Sequence, residues 1–300
     1  MESTKYRCAI IGVGRMGFYG FSTPFIYDHF SAYRADPRCE VVALCDTDPA
    51  KDPKIGMPFY ADAAKMLEEQ KPDIVSICTP PSEHTNGILE CAGKVKAIWC
   101  EKPIASSPLS VVTFPPFPIQ VNYIRRFDQL HRDIRDEIQS WNFGDLQWIR
   151  ILYSGGMMNS GSHFVDLIRW WYPDIQPWDK VQFVETDAWD GKATEMELQF
   201  TKCRIRLLEG GLTCQIEGPA RSTWYGNRGD ILTWQKYERA AKEDIRTMKE
   251  SWPPKVFMEN ALSNIINHLE RGAPLTSSVV EAVLTLQEAL EISRERNLKW

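Results

Sequence analysis

The chain has 300 residues, of which 43% are hydrophobic and 25% charged, and its formal net charge is −5 at pH 7. This length accommodates two globular domains, and the acidic balance gives no reason to expect nucleic acid or an anionic membrane as a partner. No apolar run reaches the ~20 residues of a membrane-spanning helix. The eight cysteines form no CxxC pair, so we expect a cytoplasmic protein without a disulfide framework or a metal site.

The first hundred residues alternate between strand and helix patterns. Four short apolar runs are typical of strands that are buried on both faces of a parallel sheet. They occupy residues 5–12, 40–46, 73–80 and 97–103. Helical patterns lie between them, at residues 15–33, 61–70 and 82–94. This alternation predicts an α/β fold with a right-handed, doubly wound parallel sheet.

After Pro103 the pattern changes. Residues 104–118 contain four prolines, and a strand is predicted at 118–124. A parallel crossover needs about a dozen residues and usually a helix, so we predict a shortened crossover that leaves one sheet face poorly covered. An amphipathic helix follows at 126–141. The predicted domains are residues 1–120 and 121–300.

From residue 146 onward, alternating strand patterns predict an α+β domain with a large, mainly antiparallel sheet. These patterns occupy residues 146–154, 179–190, 194–202, 203–210 and 212–218. Two helices are predicted at 255–272 and 277–297; Gly272 ends the first, and Ser277 or Ser278 caps the second. A sheet with one uncovered face would suit a homodimer or homotetramer.

The segment IIGVGRMG places three glycines directly after the first strand. Gly12 permits a tight turn, Gly14 lets the backbone approach a pyrophosphate, and Gly17 lets a helix pack on the strand. The start of the helix would then bind phosphate. Arg15 and Met16 are counted with the cofactor contacts, although an exposed helix position explains Arg15 equally well. A glycine turn without a ligand is the alternative.

Asp46 ends the second strand and is the candidate acid for the cofactor's ribose. It comes later than the usual spacing of ~20 residues, so the segment 18–38 predicts an elongated helix or an inserted loop. A carboxylate here accepts hydrogen bonds from a ribose 2′-hydroxyl and repels a 2′-phosphate. Because no arginine follows at once, NAD(H) is favoured over NADP(H).

Several motifs together resemble the Gfo/Idh/MocA oxidoreductases. They are GVGRMG at 12–17, CTPPSEH at 78–84, CEKPIA at 100–105 and GGMMNSGSHFVD at 155–166, with a similar ending at 260–290. The resemblance implies a Rossmann domain followed by a domain with a large open antiparallel sheet. It also implies hydride transfer between NAD(P) and a sugar, cyclitol or nucleotide-sugar derivative.

Lys102 matches the lysine of the family's EKP motif. Independently, a lone cation at the carboxyl end of a parallel strand points into the crevice where ligands bind. A nearby nicotinamide cation would disfavour the charged amine, so Lys102 could exchange a proton with a substrate hydroxyl or ketone. The alternative is that Lys102 forms a structural salt bridge to Glu101. Glu101 itself is counted with the cofactor-binding residues and is expected to have a structural or positioning role.

His163 matches the family's second-domain histidine. Its expected position in the first turn of a helix suits proton transfer, whereas a capping or core histidine is the alternative. Asn159 stands where the family usually has aspartate; it can orient a substrate hydroxyl but cannot carry a proton. Asp166 either orients His163 or lies on the helix surface.

The resemblance assigns further residues to the site. Thr79, Pro80 and His84 would border the nicotinamide ribose, with Pro80 and Pro81 preventing a helix at the strand end. Of the pair Arg125 and Arg126, one would meet substrate or a phosphate and the other would be a surface charge.

Aromatic residues complete the set of candidates. Tyr153 would line the substrate pocket, whereas Trp170 and Trp171 are expected in the core rather than as platforms for a sugar ring.

The leading hypothesis is an NAD(H)-dependent dehydrogenase or reductase of a sugar or nucleotide-sugar, in surface-polysaccharide or sugar metabolism. Asn159 and the shortened crossover motivate a second hypothesis, a non-catalytic regulator that binds NAD or sugar on the same fold. A third hypothesis is an enzyme that retains NAD for transient oxidation during elimination or hydrolysis.

Overall fold

The computed structural model describes most of the chain. The described residues are 5–20, 26–107, 117–174, 176–186, 194–201, 204–208, 213–217, 221–228, 231–238, 250–252 and 256–298. The chain forms two compact units, Met1–Phe127 with Val256–Glu288, and Asp128–Lys255 with Ala289–Trp300. The functional domain limits of 1–120 and 121–300 stay a prediction. Within the described ranges, no helix combines the length and apolar character that crossing a bilayer requires.

The first unit contains a six-stranded parallel sheet. Its strands are β1 (Tyr6–Ile11), β2 (Cys39–Cys45), β3 (Phe59–Tyr60), β4 (Ile74–Ile77), β5 (Ala97–Cys100) and β6 (Ile119–Val121). Their order is β3-β2-β1-β4-β5-β6, and every neighbouring pair is parallel. The chain therefore winds outward from β1 in both directions, which confirms the predicted doubly wound sheet. The short strand β3 was not predicted.

Helices accompany both sheets. They are α1 (His29–Ala35), α2 (Ala63–Gln70), α3 (Pro81–Cys91), α4 (Gln129–Gln139), α5 (Ser162–Trp171), α6 (Phe257–Arg271) and α7 (Val279–Glu295). The predicted helix ends of the last two are confirmed. Gly272 follows α6 in the left-handed conformation, with φ of 67°, and Ser278 Oγ accepts a hydrogen bond from Glu281 N at 3.4 Å before α7.

The predicted helix over 15–33 is wrong. A single π-helical turn covers Arg15–Tyr19, and α1 begins only at His29. Asp28 starts this helix because its carboxylate accepts a hydrogen bond from Ser31 N at 2.8 Å. The extra residues between β1 and β2 thus form an inserted segment, of which 21–25 lie outside the described residues.

Pro81 also departs from the prediction. It was expected to prevent a helix at the end of β4, yet it occupies the first turn of α3. Proline fits there because the first helical N–H groups have no partner within the helix, and its fixed φ suits the helix. The predicted shortened crossover falls largely on residues 108–116, which lie outside the described residues.

The second unit contains an eight-stranded sheet. Its strands are β7 (Leu146–Tyr153), β8 (Val181–Glu185), β9 (Thr194–Phe200), β10 (Arg204–Leu208), β11 (Thr213–Glu217), β12 (Arg221–Arg228), β13 (Ile231–Glu238) and β14 (Glu250–Trp252). The order is β14-β13-β12-β11-β10-β9-β7-β8, antiparallel except where β7 meets β8. The mainly antiparallel sheet is confirmed. The strands β12 to β14 were not predicted, because polar residues and Gly226 interrupt their apolar alternation.

Each unit has its own hydrophobic core. In the first, Ile10, Ile74 and Trp99 pack with the apolar face of α6. In the second, Ile151 and Trp171 pack with the apolar face of α4. Trp171 is fully buried, and its indole N–H donates to the carbonyl oxygen of His131 at 3.1 Å, which confirms the core assignment of this tryptophan.

Candidate active site

The carboxyl edge of the parallel sheet is held by one continuous set of backbone hydrogen bonds. The amide following each strand donates to the last carbonyl of a neighbouring strand. The pairs are Gly12 N to Cys45 O at 2.8 Å, Cys78 N to Ile11 O at 2.7 Å, Glu101 N to Ile77 O at 2.9 Å and Asn122 N to Cys100 O at 2.8 Å. Residues that follow these strands therefore have fixed positions along a common edge, where ligands of such sheets bind.

The turn after β1 has no room for side chains at two of its glycines. A Cβ on Gly12 would lie 2.5 Å from the carbonyl carbon of Cys78, and one on Gly17 would lie 2.0 Å from the carbonyl oxygen of Gly12. Gly12 also has φ of 97°, which favours glycine. At Gly14, no other described residue beyond its chain neighbours comes within 4 Å of the Cβ position. This open face fits a phosphate group that the backbone approaches closely.

Asp46 is fixed beside this turn. Its carboxylate accepts hydrogen bonds from Val13 N at 2.9 Å and Asp48 N at 3.0 Å, and it pairs with Lys51 Nζ at 3.1 Å. A carboxylate has about four acceptor positions, so one remains for a ribose hydroxyl. Arg15, in contrast, is exposed, and Met16 is half-buried.

Thr79 carries a buried polar atom that a ligand could satisfy. Its Oγ1 is buried and makes no hydrogen bond within the part of the chain that the structure describes. Such an atom costs ~1–3 kcal/mol when it stays without a partner. Thr79 follows β4 directly after Cys78, the residue that abuts Gly12. The hydroxyl therefore fits a group bound along the same edge, and Pro80 continues this edge into α3.

His84 connects two loops of this edge. Nδ1 lies 2.8 Å from the carbonyl oxygen of Pro103, and Nε2 lies 2.8 Å from that of Thr79. The ring is fully buried, and burial lowers the pKa of His84 although both carbonyls oppose this effect. The geometry makes His84 a brace between the Thr79 and Lys102 loops, and its contact with a cofactor stays a prediction.

Lys102 follows Glu101 at the end of β5. Burial lowers the pKa of Lys102, the negative charge of Glu101 opposes that effect, and the positive charge of Arg125 adds to it. The following bond, Lys102–Pro103, is cis, and Ile104 is fully buried. An amine that loses its proton more readily than an ordinary lysine suits acid–base chemistry near neutral pH.

The arginine pair lies in a 3₁₀ turn, Ile124–Phe127, after β6. Arg126 is only 1% exposed; its Nη1 donates to Thr276 O at 3.1 Å, and its Nη2 lies 3.6 Å from Glu281 Oε2. Arg125 is half-buried. Arg126 is therefore not the surface charge that was expected of one member of the pair. Arg126 is held by Thr276 and Glu281, and a ligand contact of Arg125 stays a prediction.

The second unit presents its candidates on a turn that precedes α5. Gly155 and Gly156 both have φ of 82°, and a π-helical turn, Met157–Gly161, follows. Asn159 is exposed, and His163 is half-buried in the first turn of α5, as predicted. Asp166 is 1% exposed, which excludes the alternative of a helix-surface carboxylate.

Tyr153 ends β7 next to this turn. Its ring lies 3.4 Å from the Cβ position of Gly161. Its hydroxyl is buried without a hydrogen bond inside the described ranges, and burial raises the pKa of Tyr153 to about 12. A neutral phenol in this position can donate to a ligand oxygen. Trp170 is partly buried, with the guanidinium of Arg135 at 5.1 Å from its ring centroid.

Sequence reasoning missed the residues that hold Glu101. His29 and Asn122 both contact its carboxylate from distant positions in the chain. His29 lies after the inserted segment, so no spacing relative to the glycine turn identifies it. The one available signal was a lone histidine in an otherwise apolar helical stretch.

Comparisons with known proteins agree with this arrangement. The model of the Gfo/Idh/MocA oxidoreductase family, NAD-binding Rossmann fold, matches residues 6–112. Rhizopine catabolism protein MocA of Rhizobium meliloti is 27% identical over 190 residues, which cover 56% of this chain and 57% of that protein. The scyllo-inositol 2-dehydrogenase (NAD(+)) of Bacillus subtilis is 27% identical over 55% of this chain and 48% of its own length. The matched regions thus span about half the length of these relatives.

A solved structure extends the similarity of fold. The WlbA dehydrogenase from Bordetella pertussis, in complex with NADH and UDP-GlcNAcA, superposes with a TM-score of 0.70 at 17% identity, covering 98% of this chain and 97% of that one. At this identity the match concerns the fold alone. The match of residues 6–112 to the NAD-binding Rossmann fold of the Gfo/Idh/MocA oxidoreductase family contains the glycine turn, Asp46 and the EKP edge.

Proposed function

We propose that the protein is an NAD(H)-dependent oxidoreductase that converts a secondary hydroxyl of a sugar, cyclitol or nucleotide-sugar derivative to a ketone, or performs the reverse reaction. The observation that carries this proposal is Lys102, an amine whose pKa is lowered by burial, at the same sheet edge as the open glycine turn. Cofactor and proton acceptor would then meet at one edge.

The first unit has the groups that a dinucleotide needs. The pyrophosphate would bind at the open face of Gly14. The adenine ribose would donate to the remaining acceptor position of Asp46. Thr79 Oγ1 would contact the nicotinamide side of the cofactor. When bound, the nicotinamide supplies the hydride acceptor or donor. We propose NAD(H) as the preferred form because the Asp46 carboxylate repels a 2′-phosphate. Lys51, paired with this carboxylate at 3.1 Å, reduces that repulsion.

In the oxidation direction, Lys102 as a neutral amine would accept the proton of the substrate hydroxyl while the hydride leaves the same carbon. In the reduction direction, its ammonium form would return the proton to the ketone oxygen. We propose that His163 exchanges the proton in the same reaction and that Asn159 orients a neighbouring hydroxyl. Arg125 would bind an anionic group of the substrate, such as a carboxylate or phosphate.

Turnover of a substrate panel tests this proposal. Purified protein with NAD⁺ or NADH is offered scyllo-inositol, free hexoses, UDP-sugars, dTDP-sugars and their uronic acids, each with the corresponding ketone. We expect a change in nicotinamide absorbance with at least one cyclitol or sugar, and slower turnover with NADP(H). NADH binding without turnover across the panel would contradict the proposed activity.

That contradictory result would support the second candidate, a non-catalytic regulator. Asn159 favours it, because this exposed amide stands where the family usually has aspartate and cannot carry a proton. A sugar that changes NADH affinity without being converted would identify the regulator. NAD retained through purification, with no net NADH production, would instead indicate transient oxidation within another reaction.

Three broader assignments belong to the same proposal. They are a cytoplasmic location, a role in sugar or surface-polysaccharide metabolism, and a homodimer or homotetramer. Half-buried side chains on one face of β7, β9 and β10, among them Trp148, Glu197 and Arg206, support self-association. Sedimentation of the purified protein checks the oligomer, and a monomer at micromolar concentration would contradict it.

A further inference from the structure

A buried chain of polar side chains leads to Glu101, the residue before Lys102. Tyr33 Oη lies 2.8 Å from Ser76 Oγ, Ser76 Oγ lies 2.8 Å from His29 Nδ1, and His29 Nε2 lies 3.0 Å from Glu101 Oε1. All four residues are at most 6% exposed. They come from α1, β4 and the end of β5, so the packing of the first unit brings them together.

The carboxylate of Glu101 determines the direction of the hydrogen bond from His29. The ionised carboxylate of Glu101 only accepts, so His29 Nε2 donates to it. When the imidazole is neutral, Nδ1 accepts from the Ser76 hydroxyl, whose oxygen accepts from Tyr33; when it is protonated, Nδ1 donates to Ser76 Oγ, and the Ser76 hydroxyl donates to Tyr33. Each member is satisfied in this order, and the ring of Trp99, with its centroid 4.0 Å from that of His29, fixes the imidazole plane.

Glu101 has a second set of donors. Asn122 Nδ2 donates to the same Oε1 at 2.7 Å, and Asn122 Oδ1 accepts from the Trp99 indole at 3.2 Å. The backbone N–H of Lys102 donates to Oε2 at 3.3 Å. Burial alone would raise the pKa of Glu101, but the hydrogen bond and the charge of His29, the Asn122 hydrogen bond and the charge of Lys102 lower it. The carboxylate therefore stays ionised although it is nearly inaccessible to water.

We propose that His29, supported by Ser76 and Tyr33, is a positioning residue that acts through Glu101 to hold a negative charge beside Lys102. The inference rests on the proposed function, in which Lys102 exchanges the substrate proton. Among the described residues, the negative charge of Glu101 opposes the effect of burial on this amine, whereas the positive charge of Arg125 acts with burial. Loss of a donor to Glu101 would favour its protonated form and leave Lys102 more easily deprotonated.

Other titratable groups near the pair are accounted for. They are Cys78, Cys100, His84 and Arg125. Burial raises the pKa of both thiols well above their usual range, so they are neutral. Burial lowers the pKa of His84 and its two carbonyl partners raise it; an imidazole is neutral or positive, so it supplies no negative charge. Asp28 acts on Cys78 and His29, and among the described residues Glu101 is the negative charge that raises the pKa of Lys102.

The test measures the protonation of Lys102 without turnover. The wild type, Glu101→Gln, His29→Met and His29→Gln are labelled with an amine-specific reagent over a range of pH, and labelling is quantified by peptide mass spectrometry. The exposed Lys65 is the internal reference. We expect the Lys102 midpoint to move to lower pH by about 1 unit or more in Glu101→Gln, the size of a close opposite charge, and in the same direction in His29→Met. Glutamine can still donate to Glu101, so the midpoint of Lys102 labelling in His29→Gln should stay near the wild-type value.

Kinetics give the second readout. Oxidation needs the neutral amine, so kcat/KM falls as pH falls through the pKa of Lys102, and this limb should move to lower pH in His29→Met. If that variant fails to fold, Asn122→Leu, which removes the other donor to Oε1, should move the labelling midpoint in the same direction. Unchanged Lys102 labelling in the folded donor variant would overturn the inference. Because labelling needs no substrate, that outcome is distinct from the absence of turnover that would contradict the proposed function.

Discussion

The carboxyl edge of the parallel sheet and the turn before α5 carry their candidate residues in different ways. At the sheet edge, Glu101 and the glycine turn are held by backbone hydrogen bonds between strand ends. Before α5, Asn159 is exposed on a π-helical turn between two positive-φ glycines and a helix start. The first region has a geometry that tolerates little change. In the second region a side chain can be substituted without displacing a strand, so we expect this turn to determine which substrate binds.

The largest effect is expected at Lys102. Lys102→Ala should lower kcat by about 10²- to 10⁴-fold, the range of general acid–base catalysis, with little change in NADH affinity. Lys102→Arg is the matched control, since it keeps the charge but cannot deprotonate in a protein. The kcat of Lys102→Arg should be almost as low as that of Lys102→Ala. Steady-state kinetics and NADH titration check both variants, and near-normal kcat in the arginine variant would exclude proton transfer by Lys102.

The glycine turn should separate folding from cofactor binding. Gly12→Ala places a Cβ 2.5 Å from backbone, so we expect the free energy of unfolding to fall by about 3 kcal/mol, the upper range of overpacking. Gly14→Ala adds a methyl group to open space and should unfold like the wild type while binding NADH more weakly. Thermal unfolding with and without NADH measures both effects. Equal NADH affinity in Gly14→Ala and the wild type would show that the pyrophosphate does not bind at this turn.

Cofactor choice should respond to the Asp46–Lys51 pair. Lys51→Met removes the positive charge at 3.1 Å from Asp46, so binding of NADPH should weaken more than that of NADH, by about 5-fold for a surface charge worth ~1 kcal/mol. Asp46→Asn should have the opposite effect and weaken the binding of NADH more than that of NADPH. Titration of each variant with both cofactors gives the ratios, and equal losses for NADH and NADPH would show that Lys51 does not face the 2′ position.

The smallest effect is expected at Tyr153. Its hydroxyl is buried without a hydrogen bond in the described ranges, so Tyr153→Phe should leave stability unchanged or raise it by up to ~1 kcal/mol. If the phenol donates to the substrate, KM should rise several-fold with kcat nearly unchanged. Chemical denaturation and steady-state kinetics test the two parts. A marked loss of stability would mean that the hydroxyl has a structural partner.

The sequence predicted the sheet edge better than what surrounds it. Gly12, Gly14 and Lys102 were assigned from local patterns, because each follows an apolar strand whose end a parallel sheet aligns with its neighbours. The helix over 82–94 was predicted to within one residue of its start, but the role of Pro81 was misjudged, since proline, which ends helices, also begins them. His29 was missed because it meets Glu101 across 72 positions of sequence, and only the packing of α1 on the sheet brings them together.

The central claim is that the amine of Lys102 exchanges the substrate's proton beside a bound nicotinamide. The most direct measurement is kcat/KM for substrate oxidation by Lys102→Ala, as a function of pH and of added methylamine. The account predicts a slow enzyme whose rate rises with the concentration of neutral methylamine and is nearly independent of pH, around neutrality, without it. Turnover at the wild-type rate without the amine, with the wild-type pH dependence, would contradict the account.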